Sequence, residues 1–211
     1  MKAQDLQLTQ LLQGSKQFII PIFQRTYSWD LHNCEQLWTD IIRVGSNPKL
    51  PSHFIGSAVY IPEEDTSAAI SRWLVIDGQQ RITTMTLLLL ALKQRLEMDK
   101  TDSPISSEEI EDYYLKNRYG KEDRAYKILL TRTDKSTLID LIDGKKAEEG
   151  ASLRLIENFE FFRSKIGGAD INSVYQGIQK LMIVDVRLQQ GIDNPQMTVS
   201  SILMYPWLWT R

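Results

Sequence analysis

Residues 73–96 read WLVIDGQQRITTMTLLLLALKQRL, and this stretch decides the fold. The short apolar run from Trp73 to Ile76 is stopped by Asp77 and Gly78, and a helical pattern begins immediately afterwards. This order predicts a strand, a tight turn and a long helix. A helix that begins there directs its free backbone N–H groups and its positive dipole end toward whatever lies above the strand, which favours an anion site.

The helix behind the turn is apolar on almost every side, which predicts a buried central helix lying across a small sheet. Its uninterrupted apolar run, residues 87–92, is far shorter than the ~20 residues of a membrane span, so we expect a core helix and no membrane segment. The apolar residues are Met85, Leu87, Leu88, Leu89, Leu90, Leu92 and Leu96.

The first turn of this helix holds an unusual charge. Helices favour Asp or Glu near their N-terminus, whereas Arg81 opposes the dipole there by ~0.3–1 kcal/mol, a conflict that a bound anion would remove. Alternatively, Asp77 and Gln80 have the spacing of a capping box, and the carboxylate would then also neutralise Arg81. A cap does not require Gln79, Gln80 and Arg81 together beside a glycine. On the residues alone, ligand site and cap both stay open.

Composition and charge are those of an ordinary globular chain. Its 211 residues, 42% hydrophobic and 25% charged, suit one domain or one domain with an extension. The formal net charge of −2 gives no global reason for nucleic-acid affinity, so any DNA contact has to be local.

The cysteine and histidine content indicates the cellular compartment and limits the kinds of metal site. One cysteine, Cys34, and the lack of a signal pattern predict a reducing, cytoplasmic compartment without disulfides. The two histidines, His32 and His53, have no zinc-site spacing, which argues against an HNH-like metal centre in this chain. Mg²⁺ held by a carboxylate and by ligand phosphates stays compatible with the sequence.

The N-terminal part predicts a helix over residues 5–12 and another that begins after Asp30. Between them, residues 22–29 (IFQRTYSW) fit neither the helical nor the strand period. Arg25 in this segment is suited to bind phosphate and to stack on aromatic rings, although a surface arginine packed on a neighbouring ring is the simpler interpretation. Cys34 lies on the apolar stripe of the following helix, which indicates a packed core thiol.

Residues 53–61 predict a strand that pairs with the Trp73 strand as a hairpin. Gly56 within it marks a bulge or a close backbone approach, and His53 is expected to form hydrogen bonds at the strand end. The last segment, residues 197–210, is apolar without a charge and indicates an interface or an aggregation liability. Other predicted elements are strands over 18–21, 126–130 and 181–188 and helices over 106–116, 134–143, 152–166 and 172–180.

Three short blocks of residues, taken in order along the chain, carry a resemblance to a known family. The first is Ile20-Pro21 with Phe23-Gln24-Arg25, Tyr27 and Trp29, the second is His53-Phe54-Ile55-Gly56, and the third is Asp77-Gly78-Gln79-Gln80-Arg81 with Thr83-Thr84. Together they resemble the N-terminal nucleotide-binding domain of GmrSD-type modification-dependent restriction endonucleases, within the ParB/sulfiredoxin-like superfamily. Weaker similarity continues through residues 155–166 and 181–196, so most of the chain is covered.

The resemblance implies an α/β (α+β) fold with a ParB/sulfiredoxin-like small mixed sheet packed on a long central helix. The nucleotide-binding core would span residues 1–98, a mainly helical extension of the same domain residues 99–190, and an atypical apolar tail residues 191–211.

The resemblance also implies that the turn from Asp77 to Arg81 binds a nucleoside triphosphate, with Mg²⁺, and supports its hydrolysis. The catalytic residues would be Asp77, Gln80 and Arg81, with Arg81 holding phosphate and Asp77 orienting a metal ion or water. Gln24 and Arg25 would close the site from the opposite side. The full set of implied nucleotide-binding residues is Gln24, Arg25, Gly78, Gln79, Thr83 and Thr84.

In this family the nucleotide-binding domain is linked to an HNH-type nuclease that acts on modified foreign DNA in bacterial phage defence. Full-length relatives continue beyond Asn194-Pro195-Gln196 with a further family block and the nuclease domain, whereas residues 197–211 here are different. We therefore expect a truncated or frameshifted product, or a fragment, that does not cleave DNA alone.

Two other functions are alternatives to a nucleotide-hydrolysing domain. A non-enzymatic module could bind a protein or DNA through the aromatic loop around Arg25 and the apolar tail. A sulfiredoxin-like redox role is set aside because Cys34 does not lie in the Asp77 turn. The sequence leaves homo-oligomerisation and the identity of the nucleotide base open.

Overall fold

The computed structural model describes residues 1–63, 69–98, 103–146, 148–189 and 191–193. Its strands are β1 (Lys2–Gln7), β2 (Lys16–Ile19), β3 (His53–Pro62), β4 (Ser71–Asp77), β5 (Ile128–Leu129) and β6 (Leu181–Arg187). They form one mixed sheet in the order β1-β6-β3-β4-β2-β5. The α/β fold expected from the sequence is therefore confirmed.

Helices cover the sheet, and one of them lies at the centre of the core. The α-helices are α1 (Leu8–Leu12), α2 (Leu31–Gly45), α3 (Gln79–Met98), α4 (Ser107–Ile110), α5 (Arg132–Ile142), α6 (Leu153–Gly167) and α7 (Ile171–Gln179). A π-helix, Glu111–Leu115, continues α4, and a 3₁₀ helix spans Glu122–Ala125. From Gln79 to Leu92, every residue of α3 except Arg81 is buried. The predicted central helix is confirmed, and Arg81 is the one residue of this stretch that is only partly buried.

The strand directions decide which segments meet at the end of β4. The hairpin of β3 and β4 is antiparallel, as predicted, whereas β2 runs parallel to β4. Ile19 at the end of β2 pairs with Leu74, so the chain leaving β2 and the turn after Asp77 lie at the same edge of the sheet. This parallel pairing brings residues 20–29 beside the start of α3.

Several local predictions are confirmed. The Asp30 side chain caps α2 by accepting a hydrogen bond from the Asn33 backbone N–H. Cys34 is fully buried in the core, and burial raises the pKa of its thiol to about 12. The register of β3 against β6 shifts beside Gly56, which is the predicted bulge. His53 lies at the start of β3, with its Nε2 3.1 Å from a carboxylate oxygen of Asp40.

The N-terminal helix was predicted too long. Residues Lys2–Gln7 form β1, which pairs antiparallel with β6, and the helix begins only at Leu8. The strand lies at the sheet edge with its first four residues exposed, so it lacks the apolar alternation that would mark it in the sequence. Similarly, the strand predicted over residues 126–130 is reduced to Ile128–Leu129.

The sequence predicts no membrane-spanning segment and assigns an apolar character to residues 197–210. Among the described residues, no helix is long and apolar enough to cross a membrane. The interpretation of residues 197–210 as an interface or an aggregation liability lies outside the described residues.

Candidate functional site

The turn between β4 and α3 is built around a glycine in an unusual conformation. Gly78 has φ +90°, a left-handed value that other residues adopt only with strain. A Cβ atom there would lie 2.7 Å from the Ser57 carbonyl oxygen and 3.0 Å from the Ala58 Cα atom on β3. The close contact with β3 therefore requires glycine, and it fixes the direction in which α3 leaves the sheet.

The N-terminus of α3 is not capped by the predicted capping box. The Gln80 Oε1 atom instead accepts hydrogen bonds from the backbone N–H groups of Ser28, at 2.8 Å, and Trp29, at 3.1 Å. The capping-box interpretation of Asp77 and Gln80 is therefore wrong. Intrahelical bonding begins with the Ile82 N–H, which donates to the Gly78 carbonyl, so the earlier N–H groups of the first turn have no intrahelical acceptor.

Three glutamines hold residues 20–29 against this turn. The Gln24 side chain donates to the Ile76 carbonyl at 2.8 Å, and the Gln79 side chain donates to the Arg25 carbonyl at 3.2 Å. Gln80 adds the two bonds described above and donates from its Nε2 atom to the Thr26 carbonyl at 3.4 Å. The consequence is a fixed position for the Arg25 backbone beside the start of α3, with its side chain exposed.

A buried network supports the loop from behind. The Tyr27 hydroxyl lies 2.7 Å from the Thr84 hydroxyl and accepts a hydrogen bond from the Asn158 side-chain N–H at 2.8 Å. Burial is the main cause that raises the pKa of Tyr27, so its hydroxyl stays protonated. The Tyr27 backbone N–H donates to an Asp134 carboxylate oxygen at 2.7 Å. Helices α5 and α6 thus help to fix the loop.

The loop and the turn enclose a cavity of about 170 Å³, which we call the turn cavity. Seven of the residues predicted from the sequence meet there, together with an aromatic ring. The lining residues are Gln24, Arg25, Trp29, Asp77, Gly78, Gln79, Gln80 and Arg81.

Two guanidinium groups belong to the turn cavity. Arg81 donates a hydrogen bond to the Ser57 carbonyl at 3.2 Å, and its guanidinium lies over the backbone of Gly56. A Cβ atom on Gly56, which has φ +114°, would approach that guanidinium to 2.8 Å. Among the described residues, no carboxylate lies within ion-pair distance of Arg25 or Arg81. Neither guanidinium therefore has an ion-pair partner in the described part of the chain, although Asp77 lines the same cavity.

The two threonines of the third block lie elsewhere. Thr83 and Thr84 are buried and do not line the turn cavity. The Thr84 hydroxyl is engaged by Tyr27 and by the Gln80 carbonyl, at 2.8 Å. Thr83 and Thr84 follow Arg81 by two and three residues, and both side chains point toward the core. Thr84 therefore supports the loop from behind.

The sequence did not single out every residue that shapes this site. Trp29 was quoted for the resemblance, and it lines the turn cavity. Asn158, more than 120 residues from the loop, donates to both the Tyr27 hydroxyl and the Trp29 carbonyl at 2.8 Å. No local pattern could have found Asn158, because its role depends on α6 packing behind the loop.

The turn cavity combines features that bind anions. Free N–H groups at a helix N-terminus and two guanidinium groups all favour negative charge. The Asp77 carboxylate at the same cavity is one oxygen ligand for a hard cation such as Mg²⁺. The described residues hold no cluster of three or more His, Cys, Asp or Glu side chains suited to a metal, so a cation here would need further ligands from a bound anion.

Comparisons with known proteins give one result on the family. The family model described as GmrSD restriction endonuclease, N-terminal domain, matches residues 8–199. The search of curated proteins returns no match. The matched range includes the loop, the turn cavity and the helices behind them.

Proposed function

Because this chain belongs to the family of GmrSD restriction endonuclease N-terminal domains, we propose that it binds a nucleoside triphosphate in the turn cavity and hydrolyses it. In this proposal it acts in the cytoplasm as the ParB-like regulatory domain of a modification-dependent DNA restriction system for phage defence. An HNH-type nuclease domain or subunit would cleave the modified DNA.

The observation that carries the proposal is the arginine at the start of α3 that forms no ion pair with a described carboxylate. Arg81 is the one residue between Gln79 and Leu92 that is not buried, and it faces an electropositive helix end. Such an arrangement costs free energy in the free protein, and an anion between Arg81, Arg25 and the helix N–H groups offsets that cost. A polyphosphate carries the required charge.

The size of the turn cavity is consistent with this ligand. Pockets that enclose a whole small molecule usually measure ~300–1,000 Å³, whereas this one has about 170 Å³. The cavity therefore accommodates the phosphates, and the nucleoside lies outside it. Trp29 at the cavity and Phe23, 78% exposed, provide aromatic surface for the base.

Hydrolysis would follow from electrostatic stabilisation more than from covalent chemistry. Phosphoryl transfer is catalysed chiefly by positive groups that are fixed before the reaction, and Arg81 is fixed by Gly56 and Ser57. Bound Mg²⁺ would supply charge neutralisation at the phosphates, with Asp77 as its protein ligand. The Gln80 side-chain oxygen already accepts two backbone hydrogen bonds, so we assign Gln80 to positioning the Arg25 loop.

The direct test is phosphate release from ATP, GTP, CTP and UTP with Mg²⁺, for the wild type and for Asp77→Asn. We expect release from at least one triphosphate and a loss of release in the variant, while binding of a non-hydrolysable analogue without Mg²⁺ is retained. Asp5→Asn, on the edge strand β1, is the control for removal of a carboxylate. Equal release by the wild type and Asp77→Asn would contradict the role of Asp77.

A second candidate function has its own observation. Ile22 and Phe23 are 70% and 78% exposed in the loop that precedes Arg25, and exposed apolar side chains of this size often mark contact surfaces. The alternative is a non-enzymatic module that binds a protein or DNA through this loop. Release of phosphate from none of the four triphosphates, together with partner binding that Phe23→Ser abolishes, would favour this alternative.

A further inference from the structure

A second and larger cavity lies at the other end of the parallel strands. This cavity, which we call the rear cleft, has a volume of about 600 Å³. Its lining includes Gly14, Ile70, Asn117 and Tyr119 and three charged residues, Asp112, Arg118 and Lys127. Gly14 precedes β2 and Ile70 precedes β4, so the rear cleft lies at the N-terminal ends of these strands. The seven residues of β4 span ~20 Å, which separates the rear cleft from the turn cavity.

A buried amine forms part of the wall of the rear cleft. Lys127 is 3% exposed, and its Nζ atom donates a hydrogen bond to the Gly14 carbonyl oxygen. Among the described residues, no carboxylate forms an ion pair with it; the one acidic residue lining the cleft, Asp112, lies 3.8 Å from the Arg118 guanidinium. Burial and the nearby charge of Lys16 lower the pKa of Lys127 to about 8, against a smaller opposing effect of the Asp112 carboxylate. A buried lysine without a counter-ion is unfavourable in its charged form, and an anion in the cleft would remove that penalty.

The rest of the lining indicates what else the ligand carries. Tyr113 and Tyr119, 45% and 84% exposed, place two aromatic rings at the cleft. The Asn117 side-chain N–H group donates to the Lys16 and Arg124 carbonyls at 3.0 and 3.1 Å, and its Oδ1 atom has no hydrogen-bond partner among the described residues. Aromatic rings suit a planar ligand.

We propose that the rear cleft binds a small ring-bearing organic anion, with its acidic group at Lys127 and its ring against Tyr113 and Tyr119. The site is distinct from the turn cavity in position and in chemistry, since it combines a buried lysine with two tyrosine rings. A volume of about 600 Å³ encloses a whole ligand of this kind.

Pyridoxal 5′-phosphate is a suitable probe because it is a ring-bearing phosphate with a hydroxyl group and an aldehyde. Its aldehyde condenses with a neutral amine to an imine, releasing water, and borohydride reduces the imine to a stable secondary amine. The measurement is peptide mapping by mass spectrometry after reaction of the native chain at pH 8. Pyridoxal, which lacks the phosphate, is the matched control for the anionic group.

We expect pyridoxal phosphate to label Lys127 before exposed lysines such as Lys49. Labelling of Lys127 should be at least tenfold faster with pyridoxal phosphate than with pyridoxal. Tyr119→Ala, which removes an exposed ring, should slow labelling roughly 2- to 10-fold without unfolding the chain. Arg81→Ala should leave it unchanged, which separates this site from the turn cavity. An unlabelled Lys127, or equal rates with pyridoxal and its phosphate, would overturn the proposal.

Discussion

Replacement of Arg81 by alanine tests the physical argument for the turn cavity in most detail. The variant removes a guanidinium whose one hydrogen bond among the described residues goes to the Ser57 carbonyl, at 3.2 Å. If the guanidinium binds phosphate, each charge-assisted hydrogen bond contributes ~1.5–3 kcal/mol. Its loss should therefore weaken binding of the triphosphate roughly 10- to 100-fold.

The stability of the ligand-free variant provides an independent check. Loss of the hydrogen bond to Ser57 costs about 0.5–1.5 kcal/mol, whereas relief of the conflict between Arg81 and the helix dipole returns about 0.3–1 kcal/mol. The two effects nearly cancel. A net change below ~1 kcal/mol shifts the Tm of a chain of this size by only about 2–4 °C.

The assay combines calorimetric titration of a non-hydrolysable triphosphate with thermal unfolding of the free protein. Arg163→Ala is the matched control, because Arg163 is half-exposed on α6 and pairs with Glu160 on the same helix. We expect weaker binding with nearly unchanged Tm for Arg81→Ala, and no effect on either quantity for the control. Wild-type affinity in Arg81→Ala, or a Tm decrease of more than ~10 °C without ligand, would refute the reasoning, since Arg81 would then be structural.

Four further predictions concern neighbouring features. Gly56→Ala places a methyl group 2.8 Å from the Arg81 guanidinium, on a backbone with φ +114°. It should lower the free energy of unfolding in urea by ~1–3 kcal/mol and weaken triphosphate binding. Gly167→Ala, at an open position, is the control and should do neither. Gln80→Ala removes the acceptor of two backbone N–H groups and should lower the free energy of unfolding by ~1–3 kcal/mol for each. Gln80→Glu keeps that acceptor but replaces the donor to the Thr26 carbonyl by an oxygen, so it should recover only part of this loss. Cys34, with its pKa raised to about 12, should resist iodoacetamide in the native state at pH 8 and react fully in guanidinium; alkylation of the native chain would contradict its buried position. Because the pKa of Lys127 is lowered from 10.5 to about 8, the unfolded state binds more protons than the folded state between these pH values. The contribution of Lys127 to the free energy of unfolding should therefore rise with pH from about 8. The difference between the stability curves of the wild type and Lys127→Met should show this rise, and a flat difference would contradict it.

The strand, turn and helix at the centre of the site could be predicted because their signals are local. An apolar run ended by Asp77 and Gly78 defines the turn, and the leucines that follow define the buried helix. The charge conflict of Arg81 is also visible in the sequence, since it needs only the helix start and the residue type. The structure adds that this guanidinium has no carboxylate partner among the described residues.

The bonds of Gln80 could not be predicted because they depend on pairing across the sheet. Its spacing from Asp77 matches a capping box, yet the parallel pairing of β2 with β4 brings the Ser28 and Trp29 N–H groups within its reach. The edge strand Lys2–Gln7 was missed for a similar reason. It is mostly exposed, and its partner β6 lies about 180 residues away in the chain.

The central claim is that the turn cavity receives the phosphates of a nucleoside triphosphate. A crystal structure of the protein with Mg²⁺ and a non-hydrolysable analogue of the triphosphate that it hydrolyses best tests this most directly. The account predicts phosphate oxygens within hydrogen-bond distance of Arg81, Arg25 and the first N–H groups of α3. A bound analogue whose phosphates lie elsewhere, with the turn cavity empty, would contradict it.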